Sequence, residues 1–433
     1  MRMRITTFLL MALFIVSAVN ADESVTIRVS PERIYPSSVH RVVLAESSKQ
    51  GESPVWEASA GKLLLNGDTE VYWQAPAAVD KVTFFAITSK GRIQREFSMR
   101  QALTDNMVLV PAGKFVMGDS WTDTNDPYFV PTFQNMTDKP AHRVHLDAYW
   151  IDRNRVTNRQ YAAYLEEARS QGLVRVTEEA AVGWHEGVEI PFYYFQVPRA
   201  RFVDRLPEIL GVITWDGDRF QVREGHEDHP VVDVTWAGSN AYARFYGKRL
   251  PTEAEWEKAA RGTDARRYPW GNAAPTPYHA HVKVAQGNEF TPVGAFSPTG
   301  DSPYGVADLF GGFEWVHDWF DEFYYHNNYA SRPIANPTGP EWGRDRPVRG
   351  VSVYQTTAGD EYLNPLSFRY QWIFEFGHGH LFAHSDTGFR AALSAPHADH
   401  DASKEAKGRP GEELPEMEPV KIPRPRLPEK YEY

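Results

Sequence analysis

The stretch from residue 233 to residue 262 constrains the fold most, because it predicts two separate helices joined by a tight turn. Apolar residues recur from Trp236 at helical spacing, and Gly247 stands where the end of a helix favours a left-handed residue. The second helix has Thr252 as its N-cap and Glu255 three residues later, which is the spacing of a capping box. We therefore predict a helix pair with a structural role.

The composition excludes several classes of protein. A chain of 433 residues with 42% hydrophobic and 13% aromatic residues is expected to fold into two or three domains rather than to stay disordered. The net charge of -11 argues against sequence-independent binding to nucleic acid and against docking on anionic lipid. Since the cysteine count is 0, disulfides, thiolate catalysis and thiolate metal sites are impossible.

The N-terminus, residues 1–21, is typical of a signal peptide. Arg2 and Arg4 are followed by an apolar run over residues 5–19 and by small residues up to Ala21. The run is short for a membrane span, and no other segment is long enough. We predict an exported protein, periplasmic or secreted, without a membrane span.

Residues 22–103 predict a run of short β-strands. Apolar and polar residues alternate around Ile27 and again around Phe84, and Trp56 and Trp73 are suited to the core of a sandwich. The middle of this segment, in which a tryptophan strand precedes a strand ending in W-x-A-P, resembles bacterial immunoglobulin-like modules. The expectation is an immunoglobulin-like β-sandwich that serves for spacing or presentation.

Outside these segments, one further helix and a disordered tail are predicted. Thr157 is expected to cap the helix, which continues to about Arg169 with Tyr161 and Leu165 on its buried face. Residues 397–433 are dominated by Pro, Glu, Lys and Arg and have almost no apolar periodicity. This composition is typical of a disordered segment.

Eight motifs in a fixed order carry a resemblance to a known family. They cover most of residues 107–394 and are, in chain order, MVLVPAGKFVMGDS, HRVHLDAYWIDRNRVTNRQYAAYL, HPVVDVTW, KRLPTEAEWEKAARG, YPWGN, GVADLFGGFEWVHDW, RPVRGVS and TGFRAAL. The series resembles the formylglycine-generating enzyme family, also called the sulfatase-modifying factors. The resemblance implies an α+β domain with a C-type-lectin-like core and much irregular structure, here preceded by the all-β sandwich.

The resemblance also implies where catalysis would take place. In the catalytic members of the family, two cysteines after an R-G-G-S motif bind copper and oxidise a substrate cysteine. Here the motif is R-G-V-S, from Arg349 to Ser352, the first cysteine position falls on Gln355, and residues 356–366 offer no second cysteine. Copper(I) requires soft thiolates, so no copper-thiolate site and no formylglycine generation are expected. Arg349, Ser352, Gln355 and Arg390 remain candidates for lining a pocket.

A calcium site is a second implication of the resemblance. The family binds structural calcium through oxygen ligands near a D-M-S-G-N-V-W-E-W motif. This chain has DLFGGFEW from Asp308 to Trp315, which is one residue shorter. Asp308 and Glu314 are suitable hard ligands for calcium, with backbone carbonyls between them. The alternative is an ordinary solvated aspartate and a buried, paired glutamate.

Three histidines form a cluster that the resemblance does not explain. His378, His380 and His384 lie between Arg369 and Arg390, and the length of this segment matches the family without gaps. The resemblance therefore implies that the cluster lies beside the ancestral active site. Imidazoles with nearby carboxylates can hold a divalent transition metal, whereas the alternative is a flexible polar loop.

Three functions stay open from the sequence. The first, which we favour, is an exported binding or maturation accessory factor whose pocket holds a peptide, a protein or a small-molecule ligand. The second is a metal-dependent oxidase that uses the histidine cluster in the ancestral pocket. The third is a structural component of the cell envelope, with the sandwich as a spacer.

Overall fold

The computed structural model describes residues 25–30, 39–46, 54–66, 70–74, 81–88, 91–98, 106–119, 137–185, 187–195, 211–281, 290–329, 334–351, 369–371, 383 and 385–395. Several predictions fall outside these residues: the signal peptide, Ser352, Gln355, His378, His380, His384 and the C-terminal tail. The chain divides into two compact units, Met1–Met99 and Arg100–Tyr433.

The N-terminal unit consists of antiparallel strands around an apolar core. The strands are β1 (Val25–Ser30), β2 (Val39–Glu46), β3 (Val55–Ala58), β4 (Lys62–Asn66), β5 (Glu70–Gln74), β6 (Lys81–Thr88) and β7 (Gly91–Ser98). They form one sheet in the order β1-β2-β5-β4 and a second in the order β3-β6-β7.

Both sheets contribute side chains to the core of this unit. Ile27, Trp56, Trp73 and Phe84 are all buried in it, as the sequence predicted, and the rings of Trp73 and Phe84 meet edge to face with centroids 4.8 Å apart. This part of the chain is therefore all-β. Its relation to immunoglobulin-like modules stays a prediction.

The C-terminal unit combines helices with many short strands. Its elements are β8 (Met107–Val110), β9 (Gly113–Met117), β10 (His142–Leu146), β11 (Tyr149–Asp152), α1 (Asn158–Ser170), β12 (Val174–Val176), β13 (Ala180–His185), β14 (Val188–Tyr194), β15 (Ile213–Trp215), β16 (Phe220–Val222), α2 (Trp236–Phe245), α3 (Glu253–Arg261), β17 (Gly312–Trp315), α4 (Tyr324–Tyr329), β18 (Ile334–Ala335), β19 (Pro347–Val351), β20 (Tyr370–Gln371), β21 (Thr387–Phe389) and β22 (Ala392–Ser394). The α+β class with much irregular structure is confirmed. No helix in the described ranges is long and apolar enough to cross a membrane.

The sheets of this unit are small, and most are antiparallel ladders. Their strand orders are β18-β10-β9, β22-β11-β8, β12-β13-β14, β15-β16 and β20-β19-β17-β21. In the last of them, β17 pairs antiparallel with β19 and parallel with β21. Parallel pairing of two such short strands requires a long connection, so the pairing of β17 with β21 brings together residues that are distant in sequence.

The predicted helix α1 is present with its predicted cap. The Thr157 hydroxyl accepts a hydrogen bond from the N–H of Gln160, whose side chain in turn accepts one from the N–H of Thr157. Tyr161 and Leu165 are buried in a core shared with α2, and Trp315 and Phe389 lie in the same cluster. Reciprocal capping satisfies two N–H groups that have no partner inside the helix.

The predicted pair α2 and α3 is confirmed as well. After α2, Gly247 has a φ of 70°, and the N–H of Lys248 donates to the carbonyl of Ala243 at 2.8 Å, which closes a Schellman motif. Before α3, Thr252 and Glu255 form the expected capping box. Helix α3 is buried along its whole length, so each charged side chain on it needs a partner.

Candidate functional site

Two carboxylates on one face of α3 form the centre of the candidate site. Glu253 and Glu257 are one helical turn apart, so their side chains point the same way, and both are buried. Arg369, just before β20, binds Glu253 as a fork, with its Nη2 2.7 Å from Oε2 and its Nε 3.0 Å from Oε1. A bidentate arrangement of this kind is among the stronger hydrogen-bonded ion pairs in proteins.

Arg349 on β19 connects the two glutamates. Its Nη2 lies 2.6 Å from Oε2 of Glu257, and its Nη1 lies 3.4 Å from Oε1 of Glu253. Arg261, one turn further along α3, donates to Oε1 of Glu257, which also accepts the N–H of Gly118 at 2.8 Å. We refer to Glu253, Glu257, Arg261, Arg349 and Arg369 as the arginine–glutamate network.

A buried aspartate adjoins this network. Asp318 accepts the N–H of Glu253 at 2.8 Å, at the start of α3. Burial, and after it the negative charge of Glu253, raises the pKa of Asp318 above its ordinary value. The N-terminus of a helix is a favourable position for a carboxylate, which offsets part of this effect.

A second centre surrounds Glu314 on β17. Arg390, which follows β21, holds both oxygens of Glu314, with Nε 2.7 Å from Oε2 and Nη2 2.7 Å from Oε1. Trp256 on α3 donates its indole N–H to Oε2 at 2.9 Å. Arg155 lies against the same carboxylate, with its Nε 3.4 Å from Oε1. Glu314 is therefore the buried, paired glutamate that was the alternative to a calcium ligand.

The second predicted calcium ligand is also hydrogen-bonded within the protein. Asp308 accepts the N–H of Gly294 at 2.6 Å, and its backbone has a φ of 57°. Burial raises the pKa of Asp308, and the charge of Arg155 offsets part of the increase. Calcium takes six to eight oxygen ligands. Since the oxygens of Glu314 already accept hydrogen bonds from cations, Asp308 and Glu314 do not fit that ion.

The structure assigns a supporting role to two of the four pocket candidates. Arg349 and Arg390 are fully buried, and their guanidinium groups are used in the ion pairs just described. They connect the strands β19 and β21 to carboxylates on α3 and β17, and their place at a ligand pocket stays a prediction. Among the residues that the structure describes, no group of three or more His, Asp or Glu side chains could hold a metal ion.

Sequence reasoning missed five charged members of these centres: Glu253, Glu257, Arg261, Arg369 and Arg155. Glu253 and Glu257 were treated as part of a structural helix, and Arg369 only as a flank of the histidine segment. A signal was present in the spacing of the glutamates, which places both on one face of α3. The partners could not be found from it, because Arg349 and Arg369 are 92 and 116 residues away from them.

Two buried histidines predict how the stability of this domain depends on pH. Burial lowers the pKa of His142 to about 4, and the carbonyl of Pro140, 2.9 Å from Nδ1, only partly offsets this. Burial and then the charge of Arg346 lower the pKa of His317 to about 4. Both histidines are therefore neutral in the folded protein at neutral pH.

We expect the stability that these two histidines contribute to be lost as the pH falls from about 6.5 to about 4. In that window these two positions bind more protons in the unfolded chain than in the folded one, so they make acid favour unfolding, and their contribution is complete above pH 6.5. His142→Gln keeps a donor for Pro140 but does not titrate, and should remove on the order of 1–3 kcal/mol of the acid-induced loss. Urea unfolding at several pH values measures this. An unchanged slope below pH 6.5 in the variant would contradict the assignment.

Comparison with known proteins gives the class of this protein. The family called Sulfatase-modifying factor enzyme 1-like domain matches residues 94–395. The formylglycine-generating enzymes of Thermomonospora curvata and Streptomyces coelicolor are 34% and 33% identical, and the matches cover 58% and 61% of this chain and 84% and 83% of theirs. The protein of Mus musculus named Inactive C-alpha-formylglycine-generating enzyme 2 is 30% identical, with 71% of this chain and 88% of the mouse chain covered.

The matched region spans well over half of the chain. The chain therefore belongs to the sulfatase-modifying factor family. The resemblance carried by the eight motifs is thereby confirmed, and the absence of cysteine separates this chain from members that use a copper-thiolate site.

Proposed function

We propose that this protein is an exported member of the family that does not generate formylglycine and instead acts as a binding or maturation accessory factor for a secreted peptide or protein. One observation carries the proposal: the cysteine count is 0 in a chain that otherwise has the family's domain. Without thiolates there is no copper-thiolate site and no way to oxidise a substrate cysteine by the family's route.

The buried ion pairs support a pocket that has kept its frame. Arg349 holds the end of β19, and Ser352 and Gln355 follow that strand directly in the sequence. Arg390 in the same way holds the end of β21, which follows the histidine segment. In the proposed pocket, Ser352 and Gln355 contact the ligand, and Arg349 and Arg390 keep the two strands in position.

The relatives support a role without catalysis, and the N-terminal sequence supports export. The mouse relative bears the word inactive in its name, so the family includes at least one protein named as lacking the activity. The basic, apolar and small residues up to Ala21 favour a periplasmic or secreted protein that begins at Asp22.

The proposal predicts that the purified protein converts no cysteine to formylglycine in a sulfatase-derived peptide, with or without added copper. The physical reason is the glutamine at position 355 and the lack of thiolates elsewhere. Mass spectrometry of the peptide measures the conversion, with the Thermomonospora curvata enzyme as the positive control. Copper-dependent turnover would refute the proposal.

Photocrosslinking tests the binding role. A photocrosslinking amino acid in place of Gln355 is expected to capture one exported peptide or protein in the native host. The matched control carries the same amino acid in place of Trp184, an exposed side chain on β13. If the crosslinker at Gln355 captures no product beyond those captured at Trp184, the binding role is wrong.

A metal-dependent oxidase is the second candidate, and the histidine cluster favours it. His378, His380 and His384 lie in sequence between two buried arginines that are held by carboxylates. Three histidine ligands with open positions are a common catalytic arrangement for zinc or iron. Elemental analysis of protein purified without a histidine tag, after dialysis into zinc or iron(II), decides the question. Stoichiometric metal would favour the oxidase, and substoichiometric metal would end it.

A further inference from the structure

We propose that the guanidinium group of Arg155 takes the place of the calcium ion that the family resemblance implies between Asp308 and Glu314. In this chain, the cation at that position is a side chain. The domain then folds without calcium, whatever the calcium concentration of the compartment in which it works.

Arg155 donates hydrogen bonds to the backbone of the motif that was predicted to bind calcium. Arg155 lies between β11 and α1 and is only 3% exposed. Its Nη2 donates to the carbonyl of Gly311 at 2.8 Å and to that of Asp308 at 3.2 Å, and its Nε donates to the same Asp308 carbonyl at 3.3 Å. Its Nε is also 3.4 Å from a carboxylate oxygen of Glu314.

The oxygen atoms around the guanidinium group are of the kinds that bind calcium. Two backbone carbonyls and one carboxylate converge on a single positive charge, and these are the oxygen types that bind calcium. The carboxylate of Glu314 and a carbonyl between Asp308 and Glu314 are also groups that the D-L-F-G-G-F-E-W motif was expected to offer to that ion, whereas Asp308 contributes its carbonyl and not its carboxylate. Because each of these oxygens accepts a hydrogen bond from the guanidinium group or lies beside it, a metal ion would have to displace Arg155.

The charged groups around Glu314 already include two cations. Arg155 and Arg390 both pair with Glu314, and Asp308 contributes the other nearby carboxylate from the motif. The buried carboxylate of Asp386 also acts on Arg155, so the carboxylates of this region already face two guanidinium groups. A calcium ion would add two positive charges to a buried region that already contains two cations, and burying an uncompensated charge is strongly unfavourable.

The backbone at Gly312 leaves space for the guanidinium group of Arg155. Gly312 has a φ of 142°, and a Cβ atom there would be 2.1 Å from Nη1 of Arg155 and 2.7 Å from Cζ. Any other residue at this position would push the guanidinium group away, so the glycine makes room for it. The adjacent cavity, lined by Arg155, His281 and Asp308 among others, has about 10 Å³, which is space for one water molecule at most.

The test is the calcium dependence of thermal unfolding of the full mature chain. For the wild-type protein, we expect the Tm to differ by less than about 1 °C between millimolar calcium and a calcium chelator. Isothermal titration with calcium chloride should detect no stoichiometric binding. A Tm that rises by several degrees with calcium, or one bound calcium per chain that is lost from the Asp308→Asn variant, would overturn the proposal.

Two arginine variants make the test specific. Arg155→Gln leaves the two carbonyls without their cation and Glu314 paired with Arg390 alone, and should lower the Tm by about 5 °C or more. Arg159→Gln removes the same charge from α1, where the side chain is 63% exposed and pairs with Asp228, and should shift the Tm by less than about 2 °C. Partial recovery of Arg155→Gln by calcium would support the replacement directly. Equal shifts in the two variants would overturn it.

If Arg155→Gln does not fold, Arg155→Lys gives a second measurement. Lysine keeps the charge but cannot donate to two carbonyls and a carboxylate from one planar group. We expect it to fold with a lowered Tm, in the presence or absence of calcium. A Lys variant as stable as the wild type would show that the planar group is not needed and would contradict the geometry.

Discussion

Replacing Glu257 with glutamine is expected to lower the free energy of unfolding by about 3–5 kcal/mol, because it breaks a buried network of charges while keeping the shape of the side chain. Glu257 is 0% exposed and accepts hydrogen bonds from Arg349, Arg261 and the backbone of Gly118. A neutral amide cannot balance two guanidinium groups, so the variant leaves buried positive charge without compensation. Denaturation with urea or guanidinium chloride measures the loss.

A matched control for this variant is available on the surface of the same unit. Glu189→Gln on β14 makes the same chemical change in an ion pair with Arg175 that is exposed to solvent. Exposed pairs contribute little to stability, so its denaturation midpoint should be close to that of the wild type. If the two variants unfold at the same denaturant concentration, the arginine–glutamate network does not stabilise the domain.

Replacing Gly350 with alanine is expected to lower the free energy of unfolding by about 2–6 kcal/mol, from backbone strain together with a steric clash. Gly350 lies on β19 with a φ of 105°, which L residues rarely adopt. An added Cβ would be 2.4 Å from the carbonyl oxygen of Gly312 on β17. Strands β17 and β19 would have to separate, and the frame of the proposed pocket would change with them.

A control variant at Gly217 separates the backbone strain from the steric clash. It lies between β15 and β16 with a φ of 104°, almost the same as that of Gly350, but a Cβ there would have no atom within 4 Å. Gly217→Ala should therefore show the backbone strain alone, about 1–3 kcal/mol. The difference between the two variants in chemical denaturation reports the close approach of β17 and β19. A difference of zero would mean that this approach relaxes easily.

Local patterns were predictable where the physical cause is itself local. The caps of α1 and α3 require only a threonine and a Gln or Glu three residues later; the cap at Thr157 and the capping box at Thr252 formed as predicted, and Gln160 completes a second box at α1. The left-handed Gly247 after α2 follows from the same kind of short-range rule. The apolar alternation around Ile27 and Phe84 likewise led to buried side chains in the N-terminal strands.

The family was also within reach of the sequence, because it depends on the order of motifs and not on contacts between them. Eight motifs from residue 107 to residue 394 pointed to one domain, and the matched region of 94–395 agrees with that extent. The lack of cysteine is enough by itself to exclude copper-thiolate chemistry, because no arrangement of the chain can supply a missing thiolate.

The roles of the charged residues were not predictable in the same way. Glu314 was open to two interpretations, as a calcium ligand or as a buried, paired glutamate. The choice depended on Arg390, which is 76 residues away, and on Arg155, which is more than 150 residues before the carbonyls it contacts. Arg349 and Arg390 were predicted near a pocket, and the sequence did not show that both are buried in ion pairs with Glu257 and Glu314.

The sequence by itself determined α1, α2 and α3, the caps at Thr157 and Thr252, the all-β character of the N-terminal unit, the family, and the absence of thiolate chemistry, whereas α4 was not predicted. These depend on neighbouring residues or on composition. Only the tertiary structure decided which charges meet, because the pairing in β20-β19-β17-β21 joins segments far apart in the chain. A buried carboxylate must have a cation, but many cations in the sequence satisfy that requirement equally well. The position of Arg155 beside Glu314 is therefore a property of the folded chain alone.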